Sequence, residues 1–381
     1  MRYYSTKKYR FVSLITALCL CLGCFTACGE QKGGGMRDIT TMELVREMGI
    51  GINLGNTFES MGSGTSVQNY ETAWGSPVIT REMIQGYADC GFGVLRVPVA
   101  WTNMMTGNYD ISPEYLARVK QVVDWALDSG MYVILNIHWD GGWFSKFAED
   151  EHKDECMYKY SRIWEQLTKE FKNYGDKLMF ESLNEEGGWE TIWNRYSNEG
   201  DKEKSYGLLN EINQKFVDIV RDSGGNNKKR HLLIAGYNTD FHLTCDELYK
   251  MPDDPAGRCA VSVHYYTPST FAILERDADW GKARKEWGTD ADYAELEANM
   301  KMVKERFIDN GIPVIIGEFG TSTKNKTDEM VRLYLTSVCD EAYSNGLCPV
   351  LWDVTNAFYN RVKCEFIDKE LLERLMAVKN N

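Results

Sequence analysis

Residues 178–189 read LMFESLNEEGGW, an apolar run that ends in polar and acidic residues, two glycines and a tryptophan. A short run without polar alternation is typical of a strand buried on both faces, as in a parallel sheet. Acidic side chains usually lie in solvent, so Glu185 and Glu186 at the end of such a run need an explanation. A solvated turn is one explanation and a catalytic acid is the other, and the rest of the chain has to decide between them.

The same pattern recurs along the chain after residue 36. Seven further apolar runs end in polar or aromatic residues: GINLGN (51–56), GVLRVPV (93–99), YVILNIH (132–138), HLLIAGYN (231–238), AVSVHYY (260–266), PVIIGEF (313–319) and PVLWDV (349–354). Helix-period segments separate the runs. In the segment 112–130, Ser112 fits an N-cap, Pro113 the first helical position and Gly130 the stop. Eight such β/α units predict an α/β fold, a (β/α)8 TIM barrel in a single domain.

An open, doubly wound sheet is the alternative arrangement of alternating strands and helices. Such a sheet usually carries a glycine-rich phosphate-binding turn after its first strand. The first run, GINLGNTFES (51–60), lacks the spacing of that turn. The barrel is therefore the favoured prediction, and in a barrel the carboxyl ends of the strands form the active site.

The overall charge restricts the partners that the chain can bind. The 381 residues carry a formal net charge of −13 at pH 7. A nucleic-acid-binding surface needs a basic stripe, so the charge argues against nucleic acid as a partner. Solubility alone accounts for the acidity.

The first 28 residues have the composition of an export signal. MRYYSTKKYR carries four positive charges and no acid, and the apolar run FVSLITALCLCLG follows it. The stretch CLGCFTACGE is similar to a bacterial lipoprotein processing site, with Cys28 as the lipidated residue and Cys24 as the alternative. We predict a lipoprotein-type signal over 1–28 and a flexible linker over 29–37. The protein is then exported, as a cell-surface or outer-membrane lipoprotein in a bacterium or, with an ordinary cleaved signal, as a secreted protein.

The eleven cysteines do not indicate a disulfide scaffold. Four of them lie in the export segment, and the remaining seven are scattered and odd in number. Several sit in apolar runs, where cysteine usually serves as a small core residue. The region 38–381 contains no CxxC pair, so a zinc site is not expected.

Polar, ionisable and aromatic residues end seven of the eight predicted strands. They are Asn56, Arg96, His138, Trp139, Asp140, Asn184, Glu185, His264, Tyr265, Tyr266, Glu318, Trp352 and Asp353. Each alone has a structural explanation, such as an ion pair for Arg96, a satisfied core position for His138 or packing for Trp352. Burying all of them away from a cleft would be costly, so we expect them to converge at the barrel mouth.

Two carboxylates on different strands, Glu185 and Glu318, form the chemically informative pair. Glycoside hydrolysis uses one protonated carboxyl for the leaving oxygen and one carboxylate at the anomeric carbon. The fourth and seventh strands face each other across the mouth, so the two glutamates can flank one bond. An arginine beside one glutamate favours its ionised form, whereas burial or a nearby negative charge raises the pKa of the other.

Tryptophans near the strand ends add candidate sugar-binding surfaces. Flat indole faces stack on the apolar C–H faces of pyranose rings. The loops DGGWFSKF (140–147) and EEGGWETIW (185–193) are rich in tryptophan and glycine and are predicted cleft walls. The predicted substrate-binding residues are Asn56, Trp139, Trp143, Trp189 and Trp352.

These residues resemble those of glycoside hydrolase family 5, in its branch of endo-β-1,4-glucanases and xyloglucanases. Eight stretches between about residues 44 and 360 match in order and near the family's spacing: GINLGNTFES, ETAWGSPVIT, RVPVAW, LNIHWDGGW, FESLNEE, SVHYYTP, IIGEFGTS and LWD. One such match would be weak evidence, whereas eight in order are specific. The resemblance implies a (β/α)8 catalytic domain over residues 38–381.

The resemblance also implies a retaining double displacement on a plant cell-wall β-1,4-glucan, polysaccharide or oligosaccharide, that needs no metal or cofactor. It implies Glu185 as the acid/base and Glu318 as the nucleophile. Asn184 would contact the sugar 2-hydroxyl, and Arg96 and Tyr266 would bracket the nucleophile. The supporting residues that it implies are Arg96, His138, Asn184, His264 and Tyr266.

Several residues near the fourth run and after the third differ from the family pattern or have no role in it. Glu181 is expected to point into the barrel or to form a structural pair. Glu186 stands where the family usually has proline, and we take it to be solvated rather than to raise the pKa of Glu185. Trp139 stands where many relatives have a second histidine. Strict alternation would place Asn184 and Glu185 on opposite faces, so both can reach a cleft only if the strand ends or bulges there.

Three other functions fit parts of the sequence. A β-mannanase or glucomannanase of the same family would share the core residues, so only outer subsites distinguish it. A non-catalytic, glycan-binding surface lipoprotein is disfavoured by the presence of both glutamates with their partners. A metal-dependent hydrolase using His138, Asp140 and His264 is disfavoured because the chain has only five histidines and the others are poorly placed. A monomer is the expected state.

Overall fold

The computed structural model describes residues 32, 34–62 and 64–380, and eight parallel strands in it form a closed barrel. The strands are β1 (Gly51–Asn53), β2 (Val94–Val97), β3 (Tyr132–Asn136), β4 (Leu178–Glu181), β5 (Leu232–Ala235), β6 (Cys259–Tyr265), β7 (Val314–Phe319) and β8 (Cys348–Leu351). Each strand pairs with its neighbours in chain order, and β1 closes the barrel against β8. The (β/α)8 prediction is confirmed. The predicted export segment, with Cys28, lies outside the described residues.

Helices alternate with the strands and cover the outside of the barrel. The α-helices are Thr41–Met48, Val67–Glu71, Arg81–Asp89, Pro113–Asp128, Lys153–Glu170, Lys202–Asp222, Phe241–Thr244, Ser269–Ala272, Asp290–Arg306, Asp328–Ser344 and Lys369–Ala377. Short 3₁₀ segments are Trp101–Met104, Asp140–Ala148, Gly225–Lys228, Tyr237–Thr239, Ile308–Asn310 and Val378–Asn380. Two small antiparallel strand pairs, Trp193–Asn194 with Glu199–Gly200 and Tyr359–Asn360 with Glu365–Phe366, lie in the loops after β4 and β8.

The strand side chains alternate between two apolar cores, which explains why the runs lack polar alternation. Inside the barrel, Val94, Ile134, Met179 and Ile315 pack together with the helix Thr41–Met48. A larger core lies between the strands and the outer helices. Since both strand faces are buried, only the strand ends can carry polar groups to solvent.

The same alternation places polar side chains above the inner apolar layer. Two positions beyond that layer on β1, β2, β4 and β6 come Asn53, Arg96, Glu181 and Ser262, which are all fully buried. Period-two geometry puts them on the inner face; Asn53, Arg96 and Glu181 lie at or next to the carboxyl ends of their strands, whereas Ser262 lies in the middle of the longer β6. This polar layer forms the floor of the barrel mouth.

The described chain begins at the end of the barrel opposite the mouth. Arg37 pairs with Glu47 and with Asp176, just before β4, at 2.7 Å each. The backbone N–H of Asp176 donates to the carbonyl oxygen of Gly35 at 3.3 Å. The described part of the predicted linker, 29–37, is thus bonded to the barrel.

Two observations concern the described residues as a group. The seven cysteines among them are all free. Across the described ranges, no helix is both long and apolar enough to cross a membrane.

Candidate active site

Arg96 connects four groups in the floor of the barrel mouth. Its Nε donates to Glu181 at 2.7 Å and its Nη2 donates to Asn184 at 2.9 Å. Its Nη1 donates to Asn53 at 3.0 Å and to Glu318 at 2.8 Å. A buried charge is tolerated only when it is paired and hydrogen-bonded, and Arg96 and Glu181 satisfy each other in this way. The guanidinium also fixes Glu318 relative to Asn184.

Glu318 lies at the end of β7, with only 6% of its side chain exposed. The hydroxyl of Tyr266 donates to its Oε2 at 2.9 Å. Burial and the negative charge of Glu318 raise the pKa of Tyr266 well above its ordinary value, so the phenol remains a donor. Nε2 of His138 lies 3.9 Å from Oε1 of Glu318, and burial lowers the pKa of His138 to about 3, so this ring is neutral. Arg96 and Tyr266 thus hold the two oxygens of Glu318 in a fixed orientation.

Glu185 faces Glu318 and is open to the cleft, with 46% of its side chain exposed. Nδ1 of His264 lies 2.7 Å from Oε1 of Glu185 and 3.7 Å from Oε2 of Glu318. Partial removal from water opposes ionisation of Glu185, but the hydrogen bond and charge of His264 outweigh it and lower the pKa of Glu185. Oxygens of both glutamates and a nitrogen of His264 lie within 4.8 Å of one another. The two predicted carboxylates are therefore close neighbours.

The end of β4 explains how both Asn184 and Glu185 reach this site. The strand ends at Glu181, so strict alternation no longer applies to the residues that follow. Asn184 turns towards Arg96, whereas Glu185 turns towards His264. The chain needs no bulge at this point, because the strand is shorter than the apolar run.

A bulge does occur on β7, beside the other glutamate. The register between β6 and β7 shifts between the pairs Val263–Ile316 and His264–Glu318, which leaves Gly317 as an extra residue. Bulges of this kind redirect the next side chain. A Cβ on Gly317 would lie 3.0 Å from Nε2 of His264, so a larger residue would force the ring to shift from its present position. The bulge therefore sets the positions of Glu318 and His264 together.

A cleft of about 630 Å³ opens above the two glutamates. Its floor contains His138, Asn184, Glu185, Tyr266, Glu318 and Trp352. One wall is built from the loops after β6 and β7, where Glu275 accepts hydrogen bonds from Ser322 and Lys324 at 2.9 Å each. Phe358, from the loop after β8, lines the cleft as well. The volume lies within the range of about 300–1,000 Å³ that is usual for ligand sites.

Aromatic rings lie at the floor and at the rim of the mouth. Trp352 stacks on His138 with ring centroids 5.7 Å apart and planes 5° apart. Trp139 and Trp74 are 48% and 42% exposed, and their ring centroids are 6.4 Å apart. The indole N–H of Trp74 donates to the carbonyl oxygen of Met61 at 3.0 Å, which orients the ring. Trp139 and Trp74 therefore form a paired apolar surface that is open to solvent.

Two predicted substrate-binding tryptophans do not face the cleft. Trp189 is only 5% exposed, and its indole N–H donates to the carbonyl oxygen of Phe144 at 3.1 Å. Trp143 is half-buried, stacks on Phe144 at 4.0 Å and has the ammonium of Lys159 4.3 Å from its ring. Trp189 packs in the apolar core and Trp143 against it, so the expectation that they stack on substrate is corrected.

Asn56 also lies outside the lining of the cleft, as does Trp139 at the rim. Its φ of 56° places it in the left-handed region, which asparagine tolerates better than most residues. Its backbone N–H donates to the buried carboxylate of Glu59, and its carbonyl accepts from Ser76 at 2.7 Å. These contacts make Asn56 a turn residue after β1.

Glu186 differs from the solvated state that we expected. It is half-buried, and burial together with the negative charges of Glu185 and Asp140 raises its pKa to about 8. Asp140 is itself buried, where it accepts from Thr102 and Trp143. Next to Glu185, the segment after β4 therefore carries a carboxyl that, unlike Glu185, is largely protonated at neutral pH.

The metal-hydrolase alternative required His138, Asp140 and His264 to converge. The carboxylate of Asp140 instead accepts hydrogen bonds from Thr102 and Trp143. Within the described ranges, the side-chain groups with metal-ligand spacing are Glu149–Glu151–His152, on an exposed loop, and Glu185–His264–Glu318. The second group consists of the carboxylate pair and His264, so the metal triad of that disfavoured alternative does not form among the described residues.

Comparison with known proteins identifies the family. The model of the cellulase family, glycosyl hydrolase family 5, matches residues 58–358. The chain belongs to glycosyl hydrolase family 5. This family 5 chain is 36% identical to endoglucanase A of Ruminococcus albus over 333 residues, which cover 86% of this chain and 87% of that protein.

Two further relatives of the family 5 chain come from other sources. A xyloglucan-specific endo-β-1,4-glucanase of Bacteroides ovatus is 34% identical over 338 residues, or 84% of this chain and 66% of that protein. A solved structure of a GH5-4 broad specificity endoglucanase from an uncultured bovine rumen ciliate matches with a TM-score of 0.80 at 35% identity. That match covers 90% of this chain and 98% of the other.

Sequence reasoning did not find several residues that build the family 5 site. Asn53 and Ser262 bond the buried Arg96–Glu181 pair, and both were visible only as polar residues inside apolar runs. Their alternation with Gly51 and Ala260 was a usable signal, since it puts them on the inner face of their strands. The wall residues of the cleft lie in loops with no periodic pattern, which left no signal to read.

Proposed function

We infer that this protein is an endo-acting β-1,4-glucan hydrolase that retains the configuration of the anomeric carbon. The observation that carries the inference is that oxygens of Glu185 and Glu318 lie within 4.8 Å of each other. Retaining glycosidases separate their two carboxyls by about 5–5.5 Å, whereas inverting enzymes need about 6.5–9.5 Å to admit a water molecule. A contact this close between one oxygen of each carboxyl favours the retaining arrangement over the inverting one.

In the first step, a carboxylate oxygen of Glu318 forms a bond to the anomeric carbon while the glycosidic C–O bond breaks. The carboxyl proton of Glu185 passes to the departing oxygen. In the second step, Glu185 takes a proton from water, whose oxygen bonds to the anomeric carbon and releases the carboxylate of Glu318. The assignment of roles follows the surroundings, because Glu318 is buried against Arg96 and Tyr266 whereas Glu185 is open to the cleft.

The other groups have supporting roles in this proposal. Arg96 and Tyr266 orient the nucleophile, and the neutral ring of His138 lies beside its carboxylate. Nδ2 of Asn184 has no hydrogen bond within the described residues, so it is available to a sugar hydroxyl. Trp352 offers a ring at the cleft floor, and Trp139 offers one at the rim.

A glucan substrate is supported by the relatives, which are named as endoglucanases and a xyloglucanase. One relative of solved structure is an endoglucanase of broad specificity. The purified protein should therefore release oligosaccharides from xyloglucan, carboxymethyl cellulose or mixed-linkage glucan, and Glu185→Gln and Glu318→Gln should lose that release. Preference for glucomannan would favour the mannanase alternative, and binding without cleavage would favour the non-catalytic one.

We also propose that the protein is an exported monomer anchored to a membrane through a lipid on Cys28. Arg37 and Gly35 are bonded to the barrel end opposite the mouth, so a tether there leaves the cleft open to polymer. Metabolic labelling with a radioactive fatty acid should mark the wild type and Cys24→Ser but not Cys28→Ser. If Cys28→Ser keeps the label and Cys24→Ser loses it, the lipid is attached to Cys24 instead. No label on the wild type would indicate an ordinary secreted enzyme.

A further inference from the structure

A second concave surface, which we call the side groove, lies next to the catalytic cleft. It has a volume of about 1070 Å³ and is formed by the loops after β4, β5 and β6. Ile273, which is 51% exposed, lines both the side groove and the catalytic cleft. The two depressions therefore adjoin at this side chain, and one extended ligand can lie across both. The volume is at the upper end of the range for sites that hold drug-sized ligands, about 300–1,000 Å³.

Two exposed aromatic rings line the side groove. Trp280 is 62% exposed and stands between Ala278 and Gly281, which bridge to each other in a tight turn. Tyr196 is 76% exposed, beyond the strand pair that begins at Trp193. Exposed aromatic rings at the tips of turns, instead of in a core, indicate a binding surface for a flat apolar face.

The tyrosine is held in place by a neighbouring cation. The guanidinium of Arg195 lies 4.9 Å from the ring centroid of Tyr196, and its Nη2 donates to the tyrosine hydroxyl at 2.8 Å. Polar side chains of Asp240, His242 and Ser269 complete the lining. Aromatic faces with scattered hydroxyl, carboxylate and imidazole groups match the surface of a glucose unit, which has apolar C–H faces and a rim of hydroxyls.

The side groove lies on the side of the acid/base. Glu185 lies on the loop after β4 together with the groove residues Arg195 and Tyr196, whereas Glu318 lies on β7, and the charge of Arg195 is one of the influences that lower the pKa of Glu185. The acid/base protonates the oxygen that departs with the leaving half of the chain. A groove that continues the cleft from this side is thus positioned for the leaving half.

We propose that the side groove binds the glucosyl units on the leaving-group side of the scissile bond, with Trp280 and Tyr196 as stacking surfaces. This inference rests on the proposed hydrolase function. It assigns the Trp74–Trp139 pair, on the loops after β1 and β3, to the other half of the substrate.

The test compares a substrate that reaches the side groove with one that does not. Cellohexaose has several glucosyl units on its leaving side, whereas 4-nitrophenyl β-cellobioside leaves only a single small ring. Trp280→Ala and Tyr196→Ala should lower kcat/KM for cellohexaose by about three- to tenfold, as expected for a lost stacking contact. Both variants should leave kcat/KM for the nitrophenyl substrate unchanged.

Tyr158→Ala is the matched control, because this tyrosine is 50% exposed but lies outside both depressions. It should leave both substrates unaffected. An equal loss on both substrates in the Trp280 and Tyr196 variants, or no loss on cellohexaose, would overturn the inference while the hydrolase function stands. A wild type that cleaves neither substrate would overturn the proposed function, and this inference with it.

Discussion

At the scale of single residues, the site depends on which neighbour each carboxyl has. Glu318 is held by Arg96 and Tyr266 in a buried position, whereas Glu185 is open to the cleft beside His264. The two glutamates have the same side chain, so their surroundings alone distinguish the proposed nucleophile from the proposed acid/base. Two predictions follow from the contacts of His264.

His264→Asn should move the alkaline limb of the kcat/KM profile to higher pH. In the proposed mechanism Glu185 carries a proton in the first step, and the hydrogen bond and charge of His264 lower its pKa in the free enzyme. Removing the imidazole removes that effect, so the carboxyl keeps its proton to a higher pH. The pH profile with cellohexaose, whose sugar leaving group needs the proton of Glu185, measures the shift, and His152→Asn, on an exposed loop, should leave the profile unchanged. A limb that moves to lower pH would contradict this account.

Gly317→Ala should lower kcat by tenfold or more. The new Cβ would lie 3.0 Å from Nε2 of His264 and from the hydroxyl of Ser262, so the imidazole must shift by a few tenths of an ångström. A misplacement of about 1 Å in a catalytic group can lower the rate about a hundredfold. Gly207→Ala is the control, because nothing lies near that helical position and the substitution should stabilise the fold by about 0.5–1 kcal/mol. Unchanged kcat in Gly317→Ala would show that the close approach to His264 has no catalytic importance.

At the scale of elements, the strand ends decide which residues enter the site. β4 ends at Glu181, three residues before Asn184, and β7 gains an extra residue at Gly317. Apolar runs predict that a strand exists, but they do not show where its hydrogen bonding stops. This is why the eight strands were predictable, while the way in which Asn184 and Glu185 both reach the cleft was not.

Arg96→Met should destabilise the barrel by about 3–5 kcal/mol, because Glu181 would be left as a buried charge without a partner. Arg96 also bonds groups on β1, β4 and β7, so activity should fall together with stability. Urea unfolding gives the free energy of unfolding of each variant. Arg81→Met removes the exposed Arg81–Asp128 pair and should change stability by less than about 1 kcal/mol. Equal effects of the two substitutions would refute the role of Arg96 as a connector.

At the scale of the whole molecule, the sequence predicted the barrel and most of its mouth. Residues at strand ends were predictable because parallel strands direct their carboxyl ends to one face. The burial of Trp189 and the raised pKa of Glu186 were not predictable, because each depends on a tertiary neighbour. For Trp189 this neighbour is the carbonyl of Phe144, and for Glu186 it is the charge of Asp140. The cleft wall around Glu275 and the side groove come from loops, where no periodicity predicts position.

The cleft, the side groove and the Trp74–Trp139 pair together form an open surface across the barrel mouth, which favours cleavage within a chain. The viscosity of carboxymethyl cellulose should therefore fall steeply before many reducing ends appear. A slow fall in viscosity with early release of short products would indicate attack from chain ends.

The stereochemistry of the first product tests the central claim most directly. One carboxylate oxygen of Glu185 lies within 4.8 Å of one of Glu318, and this closeness favours a covalent intermediate on Glu318 and net retention over inversion. Proton NMR of cellohexaose hydrolysis, recorded before mutarotation, distinguishes the two anomers of the new reducing end. The account predicts that the β-anomer appears first, and initial release of the α-anomer would contradict it.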